Sequence, residues 1–454
     1  MPRLLGRAMA ASLALCLFAA ACGNSTSDGA GGSDGGSTSQ AGGGGEETRD
    51  EVVSITGVPG VTDDAISYAV VGTKTGNPLG TCILDCYVDG IEAYFAYRNS
   101  EGGIYGRDLE VADVIDDELG QNQQKALDIV SSSDYFGNFQ ATLLASGWGD
   151  LDEAGIPTYA WGINSTEAAN RSHIFPSLAV RCADCRRPAV PYIASQVGAT
   201  KAASIGYGVS ENSKVCTDTV AKAFDLYEDD SGVESVYTND DLDYGLPNGI
   251  GPEVSAMKKA GVDFVSTCID LNGMKTLANE LHRQDMDDVV LYHPNSYDQG
   301  FIQAAGDLFE GDVVSVQFRP FEADAEGNGL EQFQTWMAKQ DKEPTELAMV
   351  GWINAAMAFD GLLAAGPDFD RQRVTDAFNA ITDYTADGLL VPIDWTQAHT
   401  PYSDGDPEAA NDPECVSYVR VEGGEFTIDD PENPWLCWEA TETPPFEPTP
   451  TNFD

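Results

Sequence analysis

From residue 65 onward, short apolar runs alternate with segments whose apolar residues recur at helical spacing. Ile66–Val71 (ISYAVV) is β-rich and leads into a polar loop with Thr73, Thr75, Gly76 and Asn77. Val88, Ile91 and Phe95 then repeat with the period of a helix that runs out near Asn99. Leu109–Ile115 reads as the next strand, 121–131 as a helix, and 138–144 and 156–161 as strands. After Arg186-Arg187-Pro188 a second series begins. Ala203–Tyr207 predicts a strand, with Ser210 placed to cap the helix that follows. Strands at Val233–Tyr237, Val262–Cys268, Val289–Tyr292 and Val313–Phe318 are separated by helices. Val254 and Met257 mark one that Gly261 stops, Met274, Leu277 and Leu281 mark a second, and 299–309 forms a third.

Such alternation with short loops predicts parallel sheets covered by helices on both faces. Helices at 329–340, 346–365 and 371–381 follow, then a strand at 389–395, a hairpin at Gly423-Gly424 and a Pro-rich tail at 442–454. The reading is two α/β lobes, with the chain crossing between them more than once.

Composition narrows the function. Against 24 Lys+Arg stand 74 Asp+Glu, a net charge of −50. Such a surface repels phosphate backbones and anionic membranes, which excludes nucleic-acid binding and basic-patch membrane attachment. No internal stretch reads as both long and apolar enough to span a bilayer.

The first residues read as an address. Arg3 and Arg7 precede the apolar stretch AMAASLALCLFAAA (8–21), and small residues then lead into Cys22. This resembles a bacterial lipoprotein cleavage box, with residues 1–21 as signal peptide and Cys22 as the lipidated first residue. Ordinary secretory cleavage is the alternative. Residues 23–50 are rich in Gly, Ser and acidic residues, with no aliphatic content beyond Ala. They cannot bury enough surface to offset ordering entropy and predict a flexible tether of about 30 Å r.m.s..

Beyond Cys16 and Cys22, eight cysteines remain in the exported chain: Cys82, Cys86, Cys182, Cys185, Cys216, Cys268, Cys415 and Cys437. An even set in an exported protein suggests disulfides, although sequence leaves the connectivity open. Proximity and position favour 82–86, 182–185, 216–268 and 415–437. Cys182-Ala-Asp-Cys185 also has the CxxC spacing of redox and zinc sites, but a second CxxC and suitably spaced histidines are missing.

The segment YFAYRNSEGGIYGRDL (94–109) resembles a signature of type I periplasmic-binding-like proteins, in which a helix ending in Asn is followed by a Gly-Gly-Ile-x-Gly-Arg turn. Asn99, Gly102, Gly103, Ile104, Gly106 and Arg107 match it. GIPTYAWGIN (155–164), 189–208, MKKAGVDFV (257–265) and 304–323 continue the likeness in order over about residues 60–440. The subgroup most similar is the branched-chain amino acid branch of ABC-transporter solute receptors. The resemblance implies an α/β fold of two doubly wound parallel-sheet lobes joined by a three-crossover hinge. Lobe 1 would hold 51–188 plus 319–394 and lobe 2 would hold 189–318 plus 395–441. The hinge strands would lie near Arg187–Val190, Phe318–Phe321 and Ile393–Trp395. The acidic segment 401–414 looks like an insertion.

Open parallel sheets bind ligands outside the carboxyl ends of their strands. That rule selects the loops Thr73–Asn77, Ser146–Trp148 and Trp161–Thr166 in one lobe, and Tyr207–Ser210, Cys268–Asn272 and His293–Asp298 in the other. The candidate ligand residues are Ser146, Gly147, Trp148, Trp161, Asn164, Tyr207, Asp270, Asn295, Ser296 and Tyr297. Trp148, Trp161, Tyr207 and Tyr297 are candidate apolar walls. Ser146, Asn164 and Ser296 are candidate hydrogen-bonding groups. Asp270 is a candidate partner for an ammonium, hydroxyl or amide. Packing of Trp161, helix capping by Asp270 and stapling of a helix by Tyr297 stay open as alternatives. Trp148 stands where the amino-acid branch has small polar residues, which points to a flatter or less polar solute.

No phosphate-binding loop, HExxH or GxSxG nucleophile turn is present, and the histidines lack ligand spacing. The expectation is a binding protein rather than an enzyme, without cofactor or metal and acting as a monomer. It would be lipid-anchored outside the cytoplasm and deliver a small organic molecule, an amino acid, an amide or an aromatic or other organic acid, to ABC permease subunits. A lipoprotein that senses its ligand and signals to a membrane partner is the alternative.

Overall fold

The computed structural model describes residues 51–77, 81–180, 187–294, 296–400, 414–439 and 445–454. The signal segment, the tether with Cys22, the Cys182–Cys185 pair, Asn295 and the acidic stretch 401–413 lie outside the described residues.

Strands β1 (Ala65–Gly72), β2 (Asp108–Asp116), β3 (Gly137–Ala141), β4 (Thr158–Asn164) and β5 (Ile174–Val180) form one parallel sheet in the order β2-β1-β3-β4-β5. The second sheet has a parallel part made of β6 (Lys201–Tyr207), β7 (Glu234–Leu242), β8 (Phe264–Cys268), β9 (Val290–His293) and β10 (Val313–Val316). Antiparallel strands β11 (Glu414–Glu422), β12 (Glu425–Thr427), β13 (Trp435–Trp438) and β14 (Thr449–Thr451) extend it. Its order is β14-β13-β11-β10-β9-β8-β6-β7, with β12 beside β11. Central strands β1 and β6 are buried along nearly their whole length because helices cover both faces. Edge strands β2 and β7 carry exposed acidic residues, which discourages pairing with another chain.

The 94–109 signature has a local structural cause. Asn99 ends the helix Leu84–Ser100 and brackets the start of β2, its Nδ2 donating to Leu109 O and its Oδ1 accepting from Leu109 N, each at 2.9 Å. Gly103 and Gly106 sit at φ +65° and +74°, where L side chains are strained. The Arg107 guanidinium is buried and donates to the carbonyls of Thr62, Tyr105 and Val53. It thereby ties the segment preceding β1 to the turn that feeds β2.

The helix Glu346–Ala365 is the core helix of the first half. At 20 residues and a mean hydropathy of 1.5 it is long and apolar enough to cross a membrane by composition, contrary to the expectation from sequence, yet 83% of that stretch is buried. It crosses the helix Leu84–Ser100 at two glycines. A Cβ on Gly90 would lie 1.7 Å from Ala348 O, and one on Gly351 would lie 2.1 Å from Tyr87 O. Tyr94 and Phe333 pack on Trp352 with ring centroids 4.9 and 5.7 Å away, and Tyr97 stacks on the same indole.

Three disulfides are formed among the described residues: Cys82–Cys86, Cys216–Cys268 and Cys415–Cys437. The last joins β11 to β13 at directly paired positions.

Several boundaries differ from the expectation. β5 had no counterpart in the hydrophobic reading, and the strand expected at 389–395 is reduced to a single Tyr384–Ile393 bridge. Arg187–Val190 is not a hinge strand, because a helix begins at Ala189. Trp395 starts a short helix and packs on Phe175 and Phe378, so residues 395–400 stay with the first half. The second crossover is pinned at Arg319, which is fully buried. Its Nε donates to Gly388 O at 3.1 Å, its Nη1 to Asp324 O at 2.8 Å, and its Nη2 to Asn452 and Asp454. The Pro-rich tail is thus partly structured, pairing as β14 and ending on this arginine.

The helix crossing yields a test. Gly351→Ala should destabilise the protein by about 1–3 kcal/mol, because the added methyl forces the helices apart. Gly149→Ala, in a short helix where the methyl meets only Arg171 Nη2 at 3.7 Å, should be neutral or stabilising by up to about 1 kcal/mol. Urea melts of both variants check the contrast.

Candidate functional site

The carboxyl ends of the parallel strands open onto a cleft of about 280 Å³ between the two sheets. The first sheet contributes Thr142 and Leu143 after β3, and Trp161, Gly162 and Ile163 at the end of β4. The second contributes Tyr207 ending β6, Cys268 to Leu271 after β8, Pro294, Tyr297 and Asp298 after β9, and Gln317 after β10. Both sheets reverse their strand order here, between β1 and β3 and between β6 and β8. Such switch points are where parallel sheets leave a crevice.

The second-sheet wall is built around Asp270. Its backbone is extended before the helix Leu271–Arg283, and its Oδ2 caps that helix, accepting from Asn272 N at 3.0 Å and Gly273 N at 3.2 Å. The other oxygen, Oδ1, accepts a short hydrogen bond from the Tyr207 hydroxyl. Gly273 makes this contact available, since a Cβ there would sit 2.3 Å from the Tyr207 hydroxyl oxygen. Capping and cavity lining, alternatives in the sequence, are both properties of this one carboxylate. Burial pushes the Asp270 carboxyl above its ordinary value, opposed by the donation from Tyr207 and the two amides. Burial, then the carboxylate of Asp270, pushes the Tyr207 hydroxyl far up. Tyr244 packs edge-on against Tyr207 with centroids 4.9 Å apart. The Cys216–Cys268 disulfide borders the same wall.

Tyr297 joins the cleft to the second crossover. It is buried, its hydroxyl donates to Glu322 and accepts from Phe321 N at 2.7 Å, and its ring stacks on Phe321 at 5.0 Å.

The opposite wall carries a carboxyl that sequence reading missed. Thr345 caps the core helix, its Oγ1 accepting from Ala348 N at 3.2 Å, and Glu346 opens the first turn into the cleft. Burial pushes the Glu346 carboxyl up to about 8, against the lowering effect of the Tyr297 N–H and with the nearby Asp298 adding to the rise. The signal for it was a Thr-Glu helix start, not a strand end. Thr142, Leu143 and Tyr244 were also missed, although the strand-end rule covers the loops that carry them.

Other candidates fall elsewhere. Trp148 is buried with Ala126, Ile129 and Leu151 on the far face of the first sheet and does not line the cleft. Ser146 and Gly147 form the turn before it, both amides donating to Asn122 Oδ1 at 2.8 and 2.9 Å. A Cβ on Gly147 would meet that of Ala126 at 2.4 Å, so the glycine serves packing. The loop Thr73–Asn77 is drawn toward the sheet edge, where Asp116 accepts from Lys74 N and Thr75 N. Ser296 is buried beside a separate void of about 10 Å³ with Met274 and His293. His293 itself pairs with Asp312 at 2.8 Å, away from the main cleft. Asn164 ends β4. Trp161, Tyr207, Asp270 and Tyr297 are the candidates that the cleft brings together.

Glu346 sets a pH signature. Its folded-state pKa of about 8 exceeds the ordinary value of 4.5. The folded chain therefore keeps a proton that the unfolded chain releases. The stability this provides is complete below about 4.5, is lost as pH rises toward about 8, and stays lost above. Glu346→Gln should accordingly melt several degrees above the parent at pH 8, with the gap narrowing steadily toward pH 4.5. Parallel thermal melts across that range measure it, and a constant gap would contradict the buried carboxyl.

A sequence profile of the periplasmic binding protein family matches residues 68–406. No curated protein matches. Solved structures share the fold at low identity. A type 1 periplasmic binding protein from Bordetella pertussis Tohama I is 18% identical with a TM-score of 0.63, covering 81% of this chain and 100% of its own. The branched-chain amino acid transporter substrate-binding protein of Streptococcus pneumoniae, solved with isoleucine, is 15% identical with a TM-score of 0.62 over 80% of this chain and 98% of that one. An ABC transporter solute-binding protein from R. palustris, solved with 4-hydroxybenzoate, is 17% identical with a TM-score of 0.63 over 84% and 98%. With two parallel sheets meeting at a cleft and a profile match over most of its length, the chain belongs to the periplasmic binding protein family, type I.

Proposed function

We propose that this chain is an extracytoplasmic solute-binding lipoprotein that captures a small organic molecule between its two halves and delivers it to an ABC permease. The observation that carries the reading is the cleft itself, whose lining comes from strand ends of both sheets and from the first turn of the core helix. A solute touching both walls favours a closed arrangement by its differential contacts, and the crossovers between the sheets supply the hinge. Export and anchoring rest on the leader, Cys22 and the Gly/Ser-rich tether, together with the family. The R. palustris and S. pneumoniae proteins, with 4-hydroxybenzoate and isoleucine bound, support a small organic solute.

A thermal-shift screen over amino acids, amides, aromatic acids, amines and sugars identifies binders. Small-angle scattering with a saturating binder should show a smaller radius of gyration, and an unchanged radius at saturation would overturn capture by closure. Trp161→Ala should weaken that binder by about tenfold or more, because it removes a large apolar wall. In producing cells, Cys22→Ser should move the protein from the membrane to the soluble fraction.

A further inference from the structure

We infer that the cleft takes a small apolar solute bearing a protonated amine and no free carboxylate, held between Asp270 on one wall and Glu346 on the other. This rests on the solute-capture reading of the same site. Among the described residues, Asp270, Asp298 and Glu346 line the cleft, and no Lys, Arg or His side chain does. A buried carboxylate on the solute would face three acidic side chains without a cation, whereas an ammonium would find partners on both sides. The Asp270 carboxylate is already oriented by the Tyr207 hydroxyl and two backbone amides, so it needs no rearrangement to receive a cation. Glu346 is buried, and burial, with the nearby Asp298 adding to it, holds its proton. An ammonium beside it would supply the positive neighbour that favours its charged form.

The remaining walls are largely apolar or aromatic, from Trp161, Leu143, Ile163, Tyr244 and Leu347. They match a hydrocarbon or aromatic body. The field of the whole chain, at net −50, draws cations toward the opening and repels anions.

The test uses probes that share a body and differ in the head: phenethylamine, phenylacetate and phenylacetamide, and isopentylamine, isovalerate and leucine. Titration calorimetry on the purified chain should give the amine of each set the tightest binding, by about tenfold or more over the acid. Asp270→Asn keeps an N-cap acceptor and Glu346→Gln keeps the side-chain shape. Each should weaken amine binding by about tenfold or more with circular dichroism unchanged. An acid or leucine that binds as tightly as the amine overturns the assignment, as does amine binding indifferent to both variants or an absence of amine binding. If an acid or amide binds and the radius of gyration falls, capture stands and the amine assignment falls. If an amine binds with the expected losses but the radius does not change, the charge assignment stands and capture by closure falls.

Discussion

Parallel pairing sends the carboxyl ends of every strand to one edge of a sheet, and this constraint underlies the rest of the molecule. All five strands of the first sheet run parallel, as do β7, β6, β8, β9 and β10 of the second. Each edge therefore gathers loops that need not pair with a neighbour and can vary in chemistry. Where strand order reverses, the loops diverge to either side and leave a crevice. Two such edges meet in this chain, and the cleft is the space between them.

What holds one wall in place is helix packing. Gly90 and Gly351 let the helices Leu84–Ser100 and Glu346–Ala365 touch backbone to backbone. Packing this close fixes the core helix along its axis, and with it the position of its first turn. Glu346 is thus located by contacts along the helix as well as by its own surroundings. On the other wall the same economy appears in reverse. Gly273 has no side chain, which allows the Tyr207 hydroxyl to reach the capping carboxylate of Asp270. In both cases a missing side chain sets the position of a functional one.

Much of the architecture was legible in the sequence because parallel strands buried on both faces write continuous apolar runs, as β1 and β6 do. The signature at 94–109 was legible because its glycines and its asparagine each satisfy a backbone requirement. β5 escaped because its run, IFPSLAV, is broken by proline and serine. The end of the first half was misplaced because Trp395 looks like a strand residue but caps an aromatic cluster with Phe175 and Phe378. Within the site, the strand-end rule found Trp161, Tyr207, Asp270 and Tyr297. It misplaced Trp148, since a large apolar side chain after a strand can turn either to the cleft or to the outer core, and helix 148–153 turns it outward. It could not find Glu346, which comes from a helix start brought to the cleft by tertiary packing, a long-range event with no local periodicity.

The acidic character of the cleft has two sources that are separable in physical terms. With 74 acidic residues against 24 basic ones, a wall whose described residues include no cation is a cheap outcome, and Asp298, which caps the helix Gln299–Ala305, needs no other account. Composition does not account for burial. An average acidic residue in such a chain faces solvent, where its charge costs little. Glu346 instead sits buried at the start of a largely apolar helix, and burial pushes its pKa up to about 8. A glutamine or threonine there would preserve the helix start without that penalty. The fold retains a carboxyl at a position where its desolvation is costly and where a cation entering the cleft would offset it. Under the proposed capture of an amine, that cost would be relieved by the cation bound between the walls, which would favour the occupied arrangement.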